Sequence, residues 1–247
     1  MTPVRFDPET ATLRLDRATF EALVAHAAQP AGNASPPAEL QAVGALREGR
    51  YHPALEQGLD AVLNPVCRLQ VRLVNPHGRE DHCDGWVAGH AAAFLLPVKG
   101  ELWEFVVVHP SFVPDGLARI VGLGPRRRAP TARPVALRAE LVDELTASDP
   151  GRRTGALQRV LDRGPEDAQA IARALVIGFR SRWEVVARWL PAPGSSGQRA
   201  LHVIDTETTL WAVEPGGTGL VVWPTTPTAV WRLLVTLLPR DEELARG

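Results

Sequence analysis

Residues 67–74, CRLQVRLV, alternate without interruption: Leu69, Val71 and Leu73 fall on one face of an extended segment and Arg68, Gln70 and Arg72 on the other, which predicts a strand. Before that point the spacing is helical. Over residues 15–28, Phe20, Leu23, Val24 and Ala27 share a face, and Asp16 can cap the start. The breaker-rich QPAGNASPP (29–37) follows, and then AELQAVGAL (38–46) and ALEQGLDAVL (54–63) predict two more helices, the second just after Pro53. Beyond residue 74, NPHGREDHCD (75–84) reads as a polar turn. GWVAGHAAAFLL (85–96) and LWEFVVVH (102–109) read as two further strands, so the expectation is a three-stranded meander. Pro110 ends it, and residues 113–123 predict a short helix with Pro114 in its first turn, where a missing N–H does no harm.

The same order then recurs. Helices are expected at 137–147, 154–162 and 165–177, strands at 182–190, 200–213 and 220–224, and a last helix at 227–238. VVVHPSFVPDGLARIVGLGPR (106–126) can be laid over LVVWPTTPTAVWRLLVTLLPR (220–240). Pro110 and Pro125 then recur as Pro224 and Pro239 at the same separation, and each copy closes in Pro-Arg. A period this long indicates a duplicated half-domain, not a solenoid. The expected architecture is α+β: residues 1–124 form one half, 125–134 a linker and 135–247 the other half, all within one integrated domain. Joining two meanders removes an exposed edge from each, giving a central antiparallel sheet with a pseudo-two-fold axis, flanked by two helical bundles.

Composition narrows the function classes. With 45% hydrophobic residues, the 247-residue chain can bury a sizeable core. A net charge of -1 gives no electrostatic reason to expect nucleic acid or an anionic membrane as partner. Neither an apolar leader nor a run long enough to span a bilayer is present, so a cytoplasmic protein without stable membrane insertion is expected. Cys67 and Cys83 are expected to be reduced thiols. Lys99 is the only lysine in an Arg-, Ala-, Gly- and Pro-rich chain, a usage that suggests a GC-rich genome such as an actinobacterium's.

Three stretches could carry chemistry. IDTETT (204–209) resembles the opening motif of a proofreading exonuclease, because Asp205 and Glu207 on one strand face could jointly hold divalent ions. That chemistry also needs further carboxylates and a general base downstream. After Thr209 there is no histidine, and the only acids are Glu214, Asp241, Glu242 and Glu243, so no metal site, cofactor or catalytic residue is expected. In HGREDHCD, His77, Asp81, His82, Cys83 and Asp84 are competent ligands without any established ligand spacing. They read better as a solvated polar loop, and with Arg79 and Glu80 its other reading is a recognition loop on a rigid sheet. GLGPRRR (122–128) follows a helix where a phosphate loop must follow a strand, so it reads as a helix end and a basic linker. Tryptophan is the more informative residue. Trp86, Trp183, Trp189 and Trp211 fall in predicted strands and could pack under helices or form part of a protein-binding platform.

In layout, over nearly its whole length, the chain resembles the EspG family, cytosolic chaperones of type VII (ESX) secretion in actinobacteria. The segments that carry the resemblance are LRLDRATFEALVAHA, ALEQGLDAVLNPVCRLQVRLV, GWVAGHAAAFLLP, WEFVVVHPSFVPDGLARIVGLGPR, LHVIDTETTLWAV and LVVWPTTPTAVWRLLVTLLPR. The resemblance implies a non-enzymatic adaptor that binds the helical tip of a PE–PPE-like or WxG-type secreted helical hairpin and keeps it soluble for export. It directs attention to the 75–84 segment, to solvent-facing residues of the central strands and to helices between 154 and 177; if Asp205 and Glu207, or Thr206 and Thr208, face outward on their strand, that pair belongs to the surface a partner would read. An immunity or peptide-binding adaptor of a toxin cassette is the alternative expectation, with a metal-dependent hydrolase as a remote one.

Overall fold

The computed structural model describes residues 4–29, 38–126, 133–193, 197–217 and 219–244. Residues 30–37 of the first expected loop and 127–132 of the expected linker lie outside the described residues. The chain opens with β1 (Arg5–Asp7), β2 (Thr12–Asp16), α1 (Arg17–Ala27), α2 (Ala38–Ala42), the small hairpin β3 (Leu46–Arg47) and β4 (Arg50–Tyr51), and α3 (Pro53–Leu63). A meander follows, consisting of β5 (Cys67–Val74), β6 (Glu80–Val87), β7 (Ala92–Lys99) and β8 (Leu102–Val108), and then α4 (Val113–Ile120). The second half contains β9 (Val135–Leu137), α5 (Ala139–Leu145), α6 (Pro150–Arg163) and α7 (Glu166–Gly178). Its meander is β10 (Phe179–Trp189), β11 (Gln198–Thr206), β12 (Leu210–Gly216) and β13 (Gly219–Thr225), closed by α8 (Pro227–Leu237).

The expected α+β fold is present. Eleven antiparallel strands form one sheet in the order β1-β2-β8-β7-β6-β5-β10-β11-β12-β13-β9. The halves meet at β5 and β10, where Val71 lies opposite Val185 and Gln70 opposite Val186. Outward from that seam the strands follow the same sequence on both sides, and a short strand from before each helical cluster, β2 or β9, closes the end of each meander.

Each half carries four meander strands where three were expected, and the error is the same in both. GWVAGHAAAFLL and ALHVIDTETTLWAV each contain two strands and the tight turn between them. The Ala88 N–H donates to the Ala91 carbonyl at 2.8 Å, and the Thr206 N–H to the Thr209 carbonyl at 3.0 Å. Apolar residues on both sides of Gly89 and His90 hide the first turn, and β-branched threonines the second. The expected 75–84 loop is likewise shorter: only residues 75–79 turn, and Glu80–Val87 is strand β6. Its period of two was obscured because the inward positions are the small Cys83 and Gly85 while the outward ones are Glu80, His82 and Asp84. At the N-terminus, residues 12–16 form β2, with Leu13 and Leu15 fully buried, and the helix starts only after its cap. Asp16 accepts from the Thr19 N–H at 2.8 Å, as expected.

Three packing layers follow from the alternation. One face of the sheet, with Leu69, Val71, Trp183, Val185, Ala187 and Val203, is roofed by α4 and α8 through Val113, Leu117, Val230 and Leu234. On the opposite face α1, α2 and α3 cover β2, β7 and β8, while α5, α6 and α7 cover β9, β11, β12 and β13. No helix among the described residues is long and apolar enough to cross a membrane.

Candidate functional site: a groove between two helical bundles

Between these bundles the central strands carry no helix on the bundle side. Their outward residues form a groove floor: Arg68, Gln70 and Arg72 from β5, Glu184, Val186 and Arg188 from β10, His82, Asp84 and Trp86 from β6, and His202 from β11. Three depressions adjoin one another along it. The first two share Gln70, Asp84 and Arg188, and the second and third share Arg72 and Glu184. The third, against α5, is a cleft of about 230 Å³ whose wall includes Val74, Val142, Ile204, Val213 and Leu220 and whose rim carries Arg72, Arg182, Glu184 and His202.

The polar floor is mostly paired. Glu80 receives Arg72 through Nε at 2.5 Å and Nη2 at 2.9 Å, and His82 lies 2.7 Å from the same carboxylate. The Arg72 guanidinium therefore holds the Glu80 carboxyl below the usual glutamate range, with His82 adding to the effect. Arg17, at the start of α1, reaches Asp84 at 3.1 Å and lies over the Trp103 ring, while Arg182 pairs with Asp143 of α5. Trp86 sits at the groove margin and packs on Phe20, with ring centroids 5.9 Å apart.

The expected site residues divide by face. His77 and Arg79 lie in the 75–79 turn, which Asn75 organises by accepting from both of their N–H groups at 2.9 and 3.1 Å. Gly78 has φ +76° there, and a Cβ would come within 2.9 Å of Ser148, so the turn leans on the connection between α5 and α6. Asp81 pairs with Arg79 at 3.0 Å. Glu80, His82 and Trp86 join the groove.

Trp183, Trp189 and Trp211 keep their side chains out of the groove, although Trp183 lies along the cleft. The first two are buried beneath α4 and α8, and the third in the core of the second bundle, so none offers its side chain to an exposed surface. Asp205 is also turned inward, 4% exposed and paired with Arg126, whereas Glu207 is exposed in the turn after β11. Because β11 ends at Thr206, the alternation that would place Asp205 and Glu207 on one strand face does not continue through them. Arg17, Arg68, Arg72, Glu184, Arg188 and His202 were not singled out as site residues from the sequence. The available signal was the polar face of CRLQVRLV, whose outward residues had no assigned role.

No family model matches the chain, and no curated protein matches it by sequence. Among solved structures, the chain is similar to the Mycobacterium tuberculosis type VII secretion system chaperone EspG5, determined in complex with a PE25–PPE41 dimer. The TM-score is 0.58 at 17% identity, over 95% of this chain and 100% of that one, which establishes an EspG-like fold.

Proposed function

We propose that this protein is a non-enzymatic cytoplasmic chaperone or adaptor of a type VII secretion route. In this reading it receives the helical tip of a PE–PPE-like or WxG-type secreted protein in the groove between its bundles. The observation that carries the reading is the groove itself: an uncovered stretch of central sheet with a polar floor and an apolar-walled cleft large enough for one or two apolar side chains of a partner. The EspG-like fold, and EspG5's complex with PE25–PPE41, supply the partner class. Shielding an exposed apolar tip would prevent the association that exposed hydrophobic patches promote.

The test is co-expression with the helical-hairpin proteins encoded beside the gene, followed by size-exclusion chromatography. Val74→Trp, placed at the cleft wall, is expected to weaken the complex about tenfold or more, while Val98→Trp on the exposed end of β7 leaves it intact. Equal binding by both variants would overturn the groove as the site. Recovery of a toxin in place of a secreted hairpin would favour the immunity-protein alternative.

A further inference from the structure

At the seam between the halves, the register brings Arg72 opposite Glu184 at one end of the groove and Arg68 opposite Arg188 at the other. The first pairing joins opposite charges. The second sets two exposed arginines at directly opposed positions on neighbouring strands, a like-charge pairing that destabilises a sheet. Nothing among the described residues relieves it. Neither arginine forms an ion pair with a carboxylate, and Arg188 donates only to amide oxygens, Gln70 Oε1 at 2.7 Å and Gln198 Oε1 at 3.0 Å. The one acid lining the same depression, Asp84, is held by Arg17.

We propose that Arg68 and Arg188 form a carboxylate-binding subsite that reads an acidic residue on the partner's helical tip, at a fixed distance from the apolar side chain entering the cleft beside Glu184. This rests on the function proposed above. Arginine forks match carboxylate oxygens in pairs, and an anion shared by the two opposed arginines would offset their mutual repulsion. Along β10 the four residue steps from Glu184 to Arg188 span about 13 Å, so the acid and the apolar anchor must lie about 13 Å apart on the partner. The floor's other arginines are already paired, Arg17 with Asp84, Arg72 with Glu80 and Arg182 with Asp143, and these pairs leave no continuous basic track for a polyanionic backbone. Together with the chain's net charge of -1, they favour a single acidic side chain over nucleic acid.

The test uses the full chain and a phage-displayed library of helical hairpins randomised at the tip, panned against wild type and against Arg68→Gln/Arg188→Gln. On wild type, Asp or Glu is expected to be enriched at one tip position. Changing that acid to its amide should weaken binding about tenfold, and the enrichment should disappear on the double variant. In the free protein, Arg68→Glu replaces repulsion with attraction and is expected to raise Tm by about 1–3 °C. Hairpin binders without acidic preference would overturn the subsite and leave the proposed function standing, as would a fall in Tm for Arg68→Glu. Failure to recover any hairpin binder would overturn the proposed function and the subsite with it.

Discussion

Arg126 grips Asp205 with both arms of its guanidinium, Nε to Oδ1 at 2.9 Å and Nη2 to Oδ2 at 2.6 Å, across 79 positions of chain. Arg126 follows α4 of the first half and Asp205 lies near the end of β11 in the second, so the pair ties the halves together on the helix-roofed face. Both side chains are more than nine-tenths buried. The carboxylate that suggested metal chemistry in the sequence is thus a structural partner.

Removing one member of such a pair leaves the other desolvated. Asp205→Ala is expected to cost about 3 kcal/mol, whereas Asp205→Leu/Arg126→Met, which removes both charges, should cost much less. Urea denaturation of the two variants beside wild type measures the contrast, and equal losses would count against a buried pair.

Helix α3 lies so close to the sheet that a Cβ at Gly58 would fall 2.3 Å from Val107 Cγ2 and 3.0 Å from the Phe105 ring. Gly58→Ala gains about 1 kcal/mol of helix propensity but overpacks this contact. A net loss of about 1–2 kcal/mol is expected. A stabilised variant in thermal denaturation would show that the sheet yields there.

Burial pushes the Cys67 thiol up to about 11 and the Cys83 thiol up to about 12, the latter helped by Asp81 and Asp84. Both should stay unmodified by a disulfide reagent at pH 8 and react only after unfolding, when they return to the ordinary thiol range. Fast labelling of the folded protein would contradict this.

Glu80 has its pKa lowered in the folded protein by Arg72 first and His82 after it. A carboxyl depressed on folding stabilises above its unfolded pKa, about 4.3, and that contribution fades as pH falls through the lower folded value. Glu80→Gln should therefore be less stable than wild type at pH 6, and the gap should close progressively below about pH 4. A gap that persists unchanged at pH 2 would exclude this ion pair as its origin.

Much of the architecture was legible because it rests on local periodicity. CRLQVRLV forms β5 over the residues expected, Pro53, Pro114 and Pro227 sit in the first turns of α3, α4 and α8, and Asp16 caps α1. What failed was local as well. Turns made by Ala88–Ala91 and Thr206–Thr209 lack proline and, in the second, glycine, so two strands read as one. The first part of strand β6, residues 80–84, reads as a loop because a groove floor imposes polar residues where an ordinary half-buried strand would alternate with larger apolar ones.

The candidate site was less legible still, for a geometric reason. Alternation along a strand says which residues share a face, and that alone determined that Arg68 and Arg72 lie together, away from Leu69 and Val71. It cannot say whether a face is roofed by helices or left open. Only the tertiary structure decided that α4 and α8 cover Trp183 and Trp189, that Asp205 meets Arg126, and that Arg68 stands opposite Arg188. Each depends on strand register and helix placement between segments far apart in the chain, which no local pattern encodes.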